Sequence, residues 1–200
     1  MLLNITGWLG LFAFVRLRIK SIYCLAVSFS CCLGCSNGSE ESEAVLQAAE
    51  KGDSKRLAEL LSVNAKAINA SDSDGRTPLM LASREQHLEV VKLLLEKGAK
   101  INQQDDVKAT ALTFACCGDN PRIVRALIEA GGDIKARSGQ ADWNLLMFAV
   151  WNKKLENVKL LLDFGLEINQ VDNRGRTAFH IAKEANYAQV AAYLQSKGGK

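Results

Sequence analysis

The chain has 200 residues, 48% hydrophobic and 24% charged, which is room for one or two domains and an ordinary composition for a folded protein. Its 25 Lys and Arg against 22 Asp and Glu give a formal net charge of +3, and the excess lies in the first 34 residues, where Arg16, Arg18 and Lys20 stand without an acid. The rest carries 22 of each sign, so it lacks the electrostatic footprint that nucleic-acid binding requires.

After Lys20 an apolar run extends from Ile22 to Gly34 and stops at Cys35. A basic start, a short apolar stretch and a small residue before the cut form the layout of an export signal. The run is shorter than the roughly 20 residues of a membrane-spanning helix; a buried core helix or a retained anchor is the alternative reading. Leu33-Gly34-Cys35 followed by Ser36-Asn37-Gly38-Ser39-Glu40-Glu41-Ser42 resembles a bacterial lipoprotein signal. The resemblance implies a signal peptide over 1–34, lipid on Cys35 as the new N-terminus, and a periplasmic location; Ser36 after the cysteine implies sorting to the outer membrane. Cys32 stands where that family carries a leucine-like residue, so Cys31 and Cys32 compete with Cys35. Leu2 to Val15 is a second apolar stretch ahead of the arginines, and a translation start near Val15 or Leu17 would leave a standard basic region.

Residues 36–42 offer Ser, Asn, Gly and Glu and nothing to bury, so 35–42 is expected to be a flexible tether, with folded structure from Glu43. Of the six cysteines, Cys24, Cys31 and Cys32 would leave with the leader and Cys35 would carry lipid. Only Cys116 and Cys117 remain, too few for a disulfide framework or a metal set.

From there the chain restates itself. Thr77-Pro78-Leu79, Thr110-Ala111-Leu112, Asn144-Leu145-Leu146 and Thr177-Ala178-Phe179 begin at intervals of 33, 34 and 33 residues. Ala82, Ala115, Ala149 and Ala182 follow in step, then Gly98, Gly131, Gly165 and Gly198. Each period has a turn-rich opening and two apolar stretches of helical spacing, which predicts paired antiparallel helices stacked unit on unit. The units are 72–104, 105–137, 138–171 and 172–200. Residues 43–71 repeat the pattern without the Thr-Pro-Leu opening, and Asn64 stands in the glycine slot.

Thr77 is expected to cap the first helix of its unit and Pro78 to occupy its first position. The recurrent alanines mark close helix approach, and the recurrent glycines end the second helices in a left-handed conformation. Leu94, Leu127, Leu161 and Leu194 form the seam between units. Polar Glu50, Lys51, Lys55, Arg56 and Glu59 in the first unit, and Gln189, Gln195, Ser196 and Lys197 in the last, read as caps.

Asp74-Gly75-Arg76-Thr77-Pro78-Leu79, Val91 with Leu94-Leu95, Gly98-Ala99 and Asn102 resemble a near-consensus ankyrin repeat, and Asp172 to His180 is a second strong match. The resemblance covers 43–200 and implies an all-α solenoid of about five helix-turn-helix repeats with short hairpin tips. Lys108 in place of the opening glycine, Asn144-Leu145-Leu146 in place of Thr-Pro-Leu, and Met80, Thr113 and Met147 where His180 keeps the family's histidine depart from it. The loop from Ser138 to Trp143 is one residue longer than its counterparts.

No nucleophile stands beside a base, and no cofactor motif is present. His87 and His180 are the only histidines, and the resemblance gives His180 a structural role. Asp105-Asp106 reads as a solvated turn, and Cys116-Cys117 as two small helix residues, with a vicinal or mixed disulfide as the alternative. The resemblance implies that tips and first helices line a concave face that binds other proteins. The residues expected there are Arg76, Arg84, Asp106, Trp143, Trp151, Asn152, Arg174 and Arg176. Two tryptophans in one repeat suit an interface anchor, unless one packs on Phe148, and the arginines suit a partner carrying acids around an apolar pocket. The function expected is a non-enzymatic binding module in the bacterial envelope, either an inhibitor or immunity protein of a secreted toxic enzyme or an accessory to an envelope enzyme. An enzyme, or a spacer or homodimer half, is the competing class.

Overall fold

The computed structural model describes residues 37–200. The leader expected over 1–34 and the lipidation expected at Cys35 lie outside the described residues. Chain order gives α1 (Asn37–Lys51), α2 (Ser54–Val63), a 3-10 turn (Ala65–Asn69), α3 (Pro78–Arg84), α4 (Leu88–Glu96), α5 (Ala111–Cys116) and α6 (Pro121–Glu129). The short strands β1 (Arg137–Ser138) and β2 (Trp143–Asn144) follow, then α7 (Leu145–Trp151), α8 (Leu155–Asp163), α9 (Ala178–Glu184) and α10 (Ala188–Ser196). Each odd helix pairs with the even one after it, and the odd helices α1, α3, α5, α7 and α9 pack side by side in that order. This is the all-α solenoid the periodicity calls for.

The starts of the first helices follow from their capping residues. The hydroxyls of Thr77, Thr110 and Thr177 accept from the amides of Met80, Thr113 and His180, and Asn144 does the same for Met147 with its carboxamide oxygen. Each satisfies one of the amides a helix start leaves unpaired. Gly98, Gly131, Gly165 and Gly198 end the second helices at φ between 82° and 97°, and the next amide returns to Leu94, Leu127, Leu161 or Leu194 carbonyl at 2.8–3.1 Å. Those leucines and the four recurrent alanines are fully buried, so the residues whose carbonyls close the second helices also fill the seam with their side chains.

Two expectations are corrected at the N-terminal end. Helix α1 begins at Asn37, so the tether expected over 35–42 is helical from there. Glu43 stands where Thr77, Thr110, Asn144 and Thr177 cap the other first helices, so no cap fixes the start there, and Glu40 sits in the first turn of α1, at the positive end of the helix dipole. Asn64 Nδ2 also donates to Glu41 Oε2 at 2.8 Å. Asn64 itself, expected in the left-handed region, has φ −132° and caps the 3-10 turn by accepting from the amide of Lys66. Without glycine there, the chain coils on into a short 3-10 segment.

Beyond the apolar seam, side-chain amides tie unit to unit. Asn69, Asn102 and Asn169 Oδ1 accept from the amides of Lys100, Asp133 and Lys200, one unit on, at 2.8–3.0 Å. Lys135 occupies that slot in the third repeat, so this rung is missing between repeats three and four. A different one replaces it. Asn157 in α8, 1% exposed, stands where Val90, Ile123 and Val190 fill three of the other units. Its Nδ2 donates to the carbonyls of Gly118 at 2.8 Å and Cys116 at 3.1 Å, with Ala115 at 3.5 Å. Helix α5 has six residues, where α3, α7 and α9 have seven, and the Asn157 amide collects carbonyls at its early end.

Lys108 adopts φ 63°, at the slot where Gly75 and Gly175 have 78° and 74°. A left-handed conformation costs a residue with a Cβ about 1 kcal/mol or more relative to glycine. Lys108→Gly is expected to stabilise the fold by about 0.5–1 kcal/mol in urea unfolding; a destabilised variant would show that the lysine side chain contributes a contact outweighing this strain.

Candidate functional site

Three of the tips owe their shape to one aspartate each. Asp72 Oδ1 accepts from the amides of Asp74 and Arg76, Asp105 Oδ1 from Val107 and Ala109, and Asp172 Oδ1 from Arg174 and Arg176, all at 2.7–3.0 Å. A short side-chain acceptor followed by a left-handed residue closes such a turn without a long loop. Asp105 is therefore an internal support of its tip, where the sequence reads it as a solvated acid. The fourth tip is built differently: Ser138 replaces the aspartate, its buried hydroxyl has no hydrogen-bond partner among the described residues, and an antiparallel pairing of Arg137 with Asn144 and Ser138 with Trp143 closes the longer loop. Backbone bonds then join tip to tip, from Asp106 amide to Asp74 carbonyl, Gly139 to Val107 and Asn173 to Ala141.

This framework aligns two rows of side chains. One runs Arg76, Ala109, Trp143, Arg176 along the tips; the other runs Glu50, Arg84, Cys117, Trp151, Glu184 along the ends of the first helices. Within repeats four and five the two rows touch. The rings of Trp143 and Trp151 meet edge to face with centroids 5.5 Å apart, and Arg176 Nη1 lies 3.0 Å from Glu184 Oε2. Trp143 is half-buried, stacks edge to face on Phe148 at 5.5 Å, and donates its indole N–H to Asp172 Oδ2 at 3.2 Å. Trp151 is 54% exposed. One tryptophan thus packs on Phe148 and supports the other, which faces solvent.

The arginines expected to receive a partner's acids are largely engaged within the chain. Arg76 is held by Asp72 and Asp74 at 2.8 Å each, Arg84 by Glu50 at 2.7 Å and Glu85 at 2.8 Å, and Arg176 by Asp172 at 2.9 Å as well as Glu184. Arg174 is exposed at the fifth tip and makes no ion pair among the described residues. Asp106 is exposed, with its amide used in the tip ladder. Asn152 is half-buried and caps α7, its Nδ2 donating back to Phe148 carbonyl at 2.9 Å. Six of the eight expected contact residues lie in the two rows or beside the tryptophan pair; Asp106 and Arg174 lie on the tips outside the rows.

The hub of the site is a residue that sequence reading passes over. Burial alone would raise the Asp172 carboxyl, but the amides of Arg176 and Arg174 and the Arg176 guanidinium outweigh it and hold its pKa at about 2. One oxygen closes the tip while the other takes the guanidinium and the Trp143 indole. The available signal was the recurrence of Asp72, Asp105 and Asp172 at the same slot, though not the reach to Trp143.

The remaining candidates are structural. Cys116 and Cys117 are free thiols. Burial pushes both up, Cys117 to about 11, which leaves little thiolate at neutral pH. The His180 ring receives the amide of Thr177 on Nδ1 at 3.3 Å, completing a reciprocal cap with its own amide on the Thr177 hydroxyl. His87 Nε2 donates to the carbonyl of Glu50 at 3.0 Å and joins the first two units.

Comparison with known proteins agrees with this architecture. A family model of three ankyrin repeats matches residues 21–105, 45–138, 103–172 and 136–200. Protein phosphatase 1 regulatory subunit 27 of Homo sapiens is 46% identical over 50 residues, which are 25% of this chain and 32% of that protein. Alpha-latrotoxin-Lg1a of Latrodectus geometricus is 36% identical over 55 residues, 28% of this chain and 4% of the toxin. The chain spans only a small part of the toxin and about a third of the phosphatase subunit, so these likenesses concern the repeats alone. Those repeats account for the paired helices, capped starts and aligned rows described above, and the chain belongs to the ankyrin-repeat family.

Proposed function

We propose that this chain is a non-enzymatic binding module that holds a partner protein on the face formed by its tips and first helices, with Trp151 as the central anchor. The observation that carries the reading is a large aromatic side chain, half exposed, braced by a second tryptophan that is itself fixed through Asp172. A rigid exposed indole loses little conformational freedom on binding and offers a large apolar area, which is why tryptophan dominates interface hot spots. Ankyrin repeats are a protein-binding scaffold, and one relative is named as the regulatory subunit of another protein, which supports the same class.

The test compares wild type with Trp151→Ala as bait in extracts of the cells that make the protein. The variant is expected to melt close to wild type and to lose its partner by about 30-fold in affinity, the effect of about 2 kcal/mol at a hot spot. Full retention of every partner by the folded variant would remove the anchor.

In this reading the chain is exported to a bacterial periplasm and tethered to the outer membrane through lipid on Cys35. Fatty-acid labelling is expected for wild type and absent in Cys35→Ser; unchanged labelling of the variant excludes that cysteine. The specific role we assign is inhibition of a secreted toxic enzyme, as an immunity protein does. A co-purified enzyme should then be inactive in the complex, whereas an envelope enzyme that keeps its activity would identify an accessory instead.

A further inference from the structure

The two rows of the binding face change character abruptly at the middle of the stack. Their outer members are charged and the inner four are Ala109, Cys117, Trp143 and Trp151. Ala109 is buried and Cys117 is half-buried, turned back with its thiol on Thr113 carbonyl. The third repeat therefore carries small, inward-lying side chains where the fourth carries the tryptophan pair, and the half-buried Phe114 stands at the slot from which Phe148 meets Trp143 one repeat on; Ala109, Cys117 and Phe114 together make a step beside the tryptophans. Neighbouring helices lie roughly 8–10 Å apart, so the step is about one side chain wide.

The charges around it decide what fits. Arg76, Arg84 and Arg176 are each held by two carboxylates. On the near side Lys154 is paired with Asp119 at 2.5 Å and Arg137 with Asp142 at 3.0 Å. An incoming carboxylate or ammonium would lose its water against ions already neutralised, and Lys108 and Arg174, which make no ion pair among the described residues, are exposed to solvent on the tips outside the rows, so burial of a charge in the step gains little to offset its desolvation. Complementarity to a paired rim and an apolar floor selects an uncharged apolar group. We propose that the step over Ala109, Phe114 and Cys117, walled by Trp143 and Trp151, takes a single uncharged apolar side chain at the apex of a partner's exposed turn. This rests on the reading that the tip and first-helix face binds a protein, and it replaces the acidic partner that the arginines alone suggest.

The probe is a phage library of random disulfide-closed heptapeptides, selected on the full chain and then measured against Trp151→Ala and Cys117→Arg. The second substitution fills the step with the side chain that Arg84 places at the equivalent position of repeat two, so the fold should accept it; Cys117→Met, smaller and uncharged, is carried beside it. Expected are peptides with a central Leu, Ile, Met or Phe and no enrichment of acids. They should bind both Trp151→Ala and Cys117→Arg at least about tenfold more weakly and Cys117→Met more weakly than wild type. Their affinity should change less than about twofold between low and high salt, since no exposed ion pair forms. Peptides that need Trp151 yet are acid-rich and salt-sensitive, or are indifferent to both Cys117 variants, overturn the step and leave the binding face standing. Peptides indifferent to Trp151 overturn both.

Discussion

Asn157→Asp is expected to destabilise the protein by about 3 kcal/mol or more at neutral pH, from buried-charge penalties of that size. The replacement is nearly isosteric, so packing is unchanged. What changes is the sign of one atom: the amide nitrogen that donates towards the carbonyls of Ala115, Cys116 and Gly118 becomes an oxygen facing three oxygens. Asn157 is 1% exposed, so water cannot separate them. The introduced carboxyl has its folded pKa raised by burial and by those carbonyls, above its unfolded value near 4. The folded state then binds the proton more tightly, and the variant's deficit should grow as pH rises from about 4 and shrink on acidification. Asn157→Val, which removes the donor without adding charge, should cost only about 1–2 kcal/mol and show no such pH dependence. Urea unfolding of the three proteins at pH 7 and pH 4.5 measures this; equal deficits for both variants at both pH values would mean that the amide is not what joins repeats three and four.

That joint shows why some of the architecture is legible in the sequence and some is not. The capping threonines, the seam leucines and the terminating glycines act through local backbone geometry that repeats every 33 or 34 residues, so residue type and spacing suffice to place them. Asn157 is just as visible as a polar residue in an apolar column, but its role depends on where α5 stops, one repeat away. Asp172 and Trp143 are similar: each belongs to its own tip, and only the stacking of repeat five on repeat four brings the indole to the carboxylate. Arg76, Arg84 and Arg176 show the converse. Residue type alone suggests a receptor for acids, yet Asp72, Asp74, Glu50, Glu85 and Glu184 reach them first. Asn64 and the start of α1 fail locally, because a helix without a stop signal runs on and an asparagine with a polar neighbour need not turn left-handed.

Asp172→Ala is expected to cost about 2–4 kcal/mol, summing the loss of a buried ion-pair partner and of two amide acceptors. The amides of Arg174 and Arg176 lose the oxygen that closes the tip, the Arg176 guanidinium keeps only Glu184, and the Trp143 indole N–H loses its acceptor. Because the carboxyl is held at about 2, below its unfolded value near 4, its stabilisation is fully present above about pH 4 and is lost as pH falls towards 2. The gap between wild type and Asp172→Ala should therefore close across that window, whereas a purely steric defect would persist through it. Asp172→Asn keeps an acceptor for the tip amides and should fall between the two. The consequence reaches the binding face, since Trp143 braces Trp151. Near-ultraviolet circular dichroism from the coupled indoles should weaken in Asp172→Ala below its unfolding transition, and partner affinity should fall although Asp172 is too deeply buried to meet the partner. Unchanged indole signal and affinity in a destabilised but folded variant would confine Asp172 to the tip and leave Trp151 braced by Phe148 and Trp143 packing alone.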